Sequence, residues 1–108
     1  MLIATGGKPF LPALENEDLD GITPMNTLDQ SLKVCRDLTR LKAAVVLGGG
    51  LIGTKTAEAL AHKVEKVTMV ELGDRILAPV TDPVSSNMAM NSFREQWSSF
   101  YLQSGTVT

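Results

Sequence analysis

Ala43-Ala44-Val45-Val46-Leu47-Gly48-Gly49-Gly50-Leu51-Ile52-Gly53 runs five small or branched apolar residues straight into a glycine turn. The apolar run predicts a short strand buried on both faces. Glycine then falls at Gly48, Gly50 and Gly53, the G-x-G-x-x-G spacing. Beyond the turn the pattern changes period: Gly53, Ala57, Leu60, Ala61 and Val64 share one face of a predicted helix.

Each glycine has a physical task if the turn holds a dinucleotide. Gly48 permits the tight exit from the strand, Gly50 lets backbone approach a pyrophosphate, and Gly53 lets the helix lie close on the sheet. The N–H groups and positive dipole end of that helix favour phosphate charge. Gly49, Leu51 and Ile52 complete the candidate cofactor-binding loop.

A second strand is predicted at Val67-Thr68-Met69-Val70-Glu71, and Glu71 stands 18 residues beyond Gly53. There the dinucleotide fingerprint wants a carboxylate for the ribose hydroxyls. The competing reading is a glycine-rich turn beside a solvated glutamate. Arg75, in the turn Gly73-Asp74-Arg75, either reaches the adenosine ribose or is solvated.

The chain has 108 residues, 44% apolar and 20% charged, with a net charge of −2. That is the composition of an ordinary soluble domain. It gives no electrostatic case for nucleic acid or an anionic membrane. No apolar run reaches membrane-spanning length. Met1 leads almost directly into a strand-like Leu2-Ile3-Ala4, leaving no room for a signal peptide, so the cytoplasm is the expected compartment. One cysteine and one histidine argue against an internal disulfide and a metal site.

Along the chain, the opening strand breaks at Thr5-Gly6-Gly7, and Pro9 and Pro12 keep the next residues extended. Glu15 to Gly21 reads as a solvated acidic loop. Thr27-Leu28-Asp29-Gln30 has capping-box spacing, and Leu28, Leu32 and Cys35 then share a helical face. Cys35 is thus expected to be a packed core thiol rather than a nucleophile. His62 falls near a helix end, where a solvated imidazole complements the dipole.

Asp82-Pro83 supplies an N-cap and a first-turn proline for a helix to about Gln96, with Val84, Met88, Met90, Phe93 and Trp97 expected in the core. Phe100-Tyr101-Leu102 reads as a third strand and Thr106-Val107-Thr108 as the start of a fourth. The order predicts an α/β fold: a Rossmann-type, doubly wound parallel sheet in three layers, here incomplete.

With these motifs placed, the chain resembles the pyridine nucleotide-disulfide oxidoreductase family, in the subgroup of NADH oxidases, NADH-dependent nitrite reductases and ferredoxin or rubredoxin reductases. The resemblance rests on Leu2-Ile3-Ala4-Thr5-Gly6 with Pro9 and Pro12, on Val45 to Leu60, on Val67 to Leu77, on Asp82-Pro83 and on Gly105-Thr106-Val107-Thr108. It implies that residues 1–40 form the tail of an FAD-domain crossover strand, a linker and a short helix, and residues 41–108 a truncated NAD(H)-binding Rossmann domain. Thr5 and Gly6 would be flavin-side contacts, and Gly48 to Gly53 with Glu71 the NAD(H) site.

The implied chemistry is hydride transfer from NADH to FAD, the FAD lying in the full-length enzyme, with NAD favoured over NADP because Glu71 repels a 2′-phosphate. Lys55 stands where the family often has glutamate, so no catalytic residue is carried over. The resemblance implies a piece of a larger flavoenzyme, inactive alone, whose partners are NADH and the missing FAD-binding and interface domains. Two alternatives stay open. One is a non-catalytic Rossmann fragment acting as a dimerisation or interaction module, with open sheet edges and a possible homodimer. The other is an FAD-binding rather than NAD-binding unit.

Overall fold

A computed structural model describes residues 1–95 and 99–102. Trp97 and the predicted fourth strand lie outside the described residues. The chain divides into two compact units, one spanning Met1–Thr39 and one beginning at Arg40.

In the first unit, Met1 to Pro12 forms no strand and is mostly exposed, against expectation. A lone strand leaves its N–H and C=O groups without a ladder, so an apolar run here does not suffice. Turns begin at Glu15, held by the Leu19 N–H on the Asn16 carbonyl at 3.1 Å. Helix α1 spans Leu28–Asp37 and begins as the sequence predicts. Thr27 Oγ1 accepts from the Gln30 N–H at 3.3 Å, and Gln30 Oε1 accepts from the Thr27 N–H at 3.0 Å. None of its residues is buried, and Cys35 is an exposed free thiol. The expectation that Cys35 is a packed core thiol is therefore corrected: the face it shares with Leu28 and Leu32 exists, but nothing in this unit buries it.

The second unit reads β-α-β-α-β: β1 Ala43–Leu47, α2 Leu51–Ala61, β2 Lys66–Glu71, α3 Pro83–Arg94 and β3 Ser99–Leu102. The three strands are parallel in the order β1-β2-β3, with Val46 beside Met69 and Met69 beside Phe100. This is the Rossmann-type arrangement the sequence predicts. Among the described residues, the buried apolar ones are Val46, Ala57, Leu60, Val67, Met69, Ile76 and Met90, and all belong to this unit. Full burial of a side chain such as Met69 or Ile76 contributes about 1.5–3 kcal/mol.

Two expectations fail in detail. Strand β1 is not buried on both faces: Val46 is buried, but Val45 is 64% and Leu47 47% exposed. Helix α2 packs on the Val46 side, and that side alone is closed. On α3, Val84 and Met88 are each 69% exposed, while Ser86 and Met90 are buried. The inward stripe is offset from the most apolar residues because a serine hydroxyl occupies one of its positions.

Candidate functional site

Strand β1 delivers the chain into Gly48, whose φ of +100° lies in the left-handed region that glycine adopts without strain. The Gly48 N–H still donates to the Val70 carbonyl at 2.8 Å, so the turn starts as a continuation of the sheet. At Gly53 the constraint is space. A Cβ there would stand 1.9 Å from the Gly48 carbonyl oxygen and 3.6 Å from Val46 Cγ1. The first turn of α2 thus lies against the glycine turn as much as against the sheet. A Cβ on Gly50 would meet no atom within 4 Å, so the backbone there is open to an incoming group.

Helix α2 starts without the usual protection. Gly50 is its N-cap, no side chain caps it, and its first turn carries no acid. The first N–H groups of a helix have no partner within it. Thr54, the first polar side chain, turns back to the Gly50 and Leu51 carbonyls at 2.9 and 3.1 Å rather than forward. Leu51 and Ile52 are exposed beside the open end.

Glu71 closes one flank. Its Oε2 accepts from the Gly49 N–H at 2.5 Å and its Oε1 from the Gly73 N–H at 2.7 Å. Both oxygens therefore tie loops on either side of the β2 end. Each still has acceptor capacity, because an ionised carboxylate has about four lone-pair sites. Gly48 to Gly53 and Glu71 are thus brought together, at the carboxyl ends of parallel strands where open α/β sheets hold ligands.

The family model for pyridine nucleotide-disulphide oxidoreductases matches residues 1–106. The chain belongs to this family. Its relatives include the epsilon subunit of an NADH-dependent phenylglyoxylate dehydrogenase from Aromatoleum evansii, 35% identical over 88% of this chain and 23% of that subunit. Among solved structures, an NAD-dependent persulfide reductase from A. fulgidus is 27% identical with a TM-score of 0.84, over 92% of this chain and 18% of that one. A water-forming NADH oxidase from Lactobacillus brevis bound to NADH shares the fold at a TM-score of 0.86 and 21% identity, over 92% of this chain and 22% of that one. The chain therefore spans about a quarter or less of the length of these oxidoreductases.

Of the other candidate residues in this family member, Arg75 is half-buried rather than fully solvated. Its Nη1 pairs with Asp74 Oδ1 at 3.1 Å, and its Nε is buried without a hydrogen-bond partner. It lines a crevice of about 260 Å³ with Pro83, Ser86, Asn87 and Met90. Thr5 and Gly6 lie in the other unit, both exposed, with Gly6 at a φ of +71°. Lys55 is exposed and pairs with Glu58 at 2.5 Å. That hydrogen bond and the lysine charge hold the Glu58 carboxyl below its usual value, with a smaller effect from His62.

His62 caps the end of α2 and is exposed. Among the described residues no group of three His, Cys, Asp or Glu side chains could hold a metal ion. No described helix is long and apolar enough to cross a membrane.

Three residues of the loop after β2 and of α3 join the site without a motif to announce them. Ile76 is fully buried, Leu77 donates its N–H to the Gly49 carbonyl at 2.7 Å, and the buried Ser86 hydroxyl donates to the Ile76 carbonyl at 2.7 Å. A signal existed for Ser86, which shares an i, i+4 stripe with Asp82 and Met90. Leu77 gave none, because its role is carried by backbone at a φ of +56°.

Proposed function

We propose that this chain is the NAD(H)-binding portion of an FAD-dependent oxidoreductase that passes hydride from NADH to flavin. The observation that carries the reading is the uncapped start of α2, reached through Gly48 to Gly53 and flanked by the Glu71 carboxylate. The donor set suits the ligand: backbone N–H groups and a dipole end for a pyrophosphate, and a carboxylate for two ribose hydroxyls. NADH supplies the hydride when bound. What the chain does is bind and orient: Gly50 admits close approach, Gly53 keeps α2 in place, and Glu71 accepts from the ribose while repelling a 2′-phosphate.

Because the chain spans about a quarter or less of its relatives' length, we infer that the flavin is held by the remainder of the whole protein, with Thr5 and Gly6 as this chain's contribution to it. The single cysteine suits a reducing compartment such as the cytoplasm. The electron acceptor belongs to that whole protein.

The test is a fluorescence titration of the purified chain with NADH and NADPH. Saturable NADH binding that is tighter than NADPH binding is expected. Failure to saturate at millimolar NADH would overturn the reading. A second reading, an interaction module, is favoured by the exposed Val45, Leu47 and Tyr101, an apolar set along β1 and β3. Sedimentation separates the two, since a monomer that binds NADH leaves the module reading without support.

A further inference from the structure

We infer that Ser86 is a positioning residue for the nucleotide site, acting through Ile76 and Leu77 on the glycine turn. The inference rests on the NAD(H) reading above and goes beyond it, because α3 then becomes part of the binding apparatus. Gly49, at the centre of the turn, is held from two sides. Its N–H goes to Glu71, and its carbonyl accepts from the Leu77 N–H at 2.7 Å. Packing adds to the second grip: Ile76 Cγ2 lies 2.9 Å from where a Cβ on Gly49 would stand.

The second grip is built at some expense in backbone conformation. Leu77 has a φ of +56°, a region that a side chain such as leucine adopts only when its surroundings impose it. Two sets of hydrogen bonds impose it. The Leu77 carbonyl accepts from the Val80 and Thr81 N–H groups at 2.9 and 3.0 Å, and from Thr81 Oγ1 at 2.9 Å. One residue earlier, the Ile76 carbonyl accepts from Ser86 Oγ at 2.7 Å, and both residues are fully buried.

An alanine at position 86 would suit the helix better than serine. The hydroxyl instead satisfies a loop carbonyl that has no access to water, so its loss would force that loop to turn. The turn of the loop would carry Leu77 away from Gly49 and change the shape presented at Gly50. Ser86 itself does not touch the nucleotide. Its contribution is to the geometry of the surface that does.

The experiment compares wild type with Ser86→Ala, measuring NADH affinity, thermal unfolding and amide hydrogen exchange at Gly49 and Leu77. The expected result is an NADH Kd raised about tenfold, within the range of coupling between distinct sites. Exchange at both amides should be faster. A residue with a merely structural role would lower Tm while leaving Kd and those two amides unchanged. Wild-type binding with a Ser86→Ala affinity within twofold overturns the inference alone, whereas a wild-type chain that does not bind NADH overturns the nucleotide reading and the inference with it. If Ser86→Ala does not fold, wild-type exchange decides: saturating NADH should slow exchange at Leu77, and no change there overturns the inference.

Discussion

Helices α2 and α3 start in opposite ways although each faces the same problem of unpaired first-turn donors. At α3, Asp82 Oδ1 accepts from the Ser85 N–H at 2.7 Å, and Pro83 has no N–H to satisfy. At α2, Gly50 offers no side chain, the first turn has no acid, and Thr54 bonds backwards. One helix is completed by its own sequence. The other is left without a side-chain cap, and under the NAD(H)-binding reading proposed above a pyrophosphate would take the place of that cap. The difference lies in residue choice: a residue that caps best also blocks best.

The strongest way to break the comparison is to remove the packing that sets the open end. Gly53→Ala places a Cβ on the Gly48 carbonyl oxygen, a contact of 1.9 Å with backbone that cannot swing aside. A loss of about 3 kcal/mol is expected, at the upper end for overpacking, with NADH binding abolished. Denaturant unfolding and titration would check both. Gly50→Ala is the sharper partner, because its Cβ meets nothing within 4 Å. Stability should hold to within about 1 kcal/mol, while NADH affinity falls because the added methyl stands where a phosphate would approach. If both variants bind like wild type, the open end is not the site.

Glu71→Gln comes next. An amide keeps one acceptor but turns an NH2 group toward one of the two N–H groups, Gly49 or Gly73, that the carboxylate now receives. Since a hydrogen bond to a charged group contributes about 1.5–3 kcal/mol, NADH affinity should fall about tenfold or more. The preference over NADPH should narrow at the same time, since the charge that repels a 2′-phosphate is gone. Titration with both nucleotides reads the two effects separately.

The strand–turn–helix, the second strand and the caps at Thr27 and Asp82 were legible because each is a local pattern with a local cause. Burial was less so. Leu28, Leu32 and Cys35 have helical spacing, but spacing does not supply a covering surface. Val84 and Met88 are more apolar than Ser86, yet it is the serine that turns inward, because a loop carbonyl ten residues away needs a donor. Of the candidate site, Gly48 to Gly53 and Glu71 could be read as a motif. The Leu77 grip on Gly49 could not, since a backbone N–H and carbonyl are present at nearly every position and only the fold selects the pair.

The smallest expected effect tests the other side of the comparison. Asp82→Ala should lower Tm by a few degrees and change NADH affinity much less than Ser86→Ala does, because it removes the α3 cap but keeps the Ser86 hydroxyl that bonds the Ile76 carbonyl. Acid should imitate the substitution. The Ser85 backbone N–H, with help from the Ser85 side chain, holds the Asp82 carboxyl below its ordinary value. A group with a lowered folded value stabilises the fold above its unfolded value, about 4 for aspartate. That stabilisation disappears as pH falls through the lower folded value. Wild type should therefore lose its Tm advantage over Asp82→Ala as pH drops below about 4, while the two differ by a constant amount at neutral pH. An advantage that persisted in acid would mean that Asp82 acts through something other than its charge on the α3 donors, and the contrast with the uncapped α2 would lose its electrostatic basis.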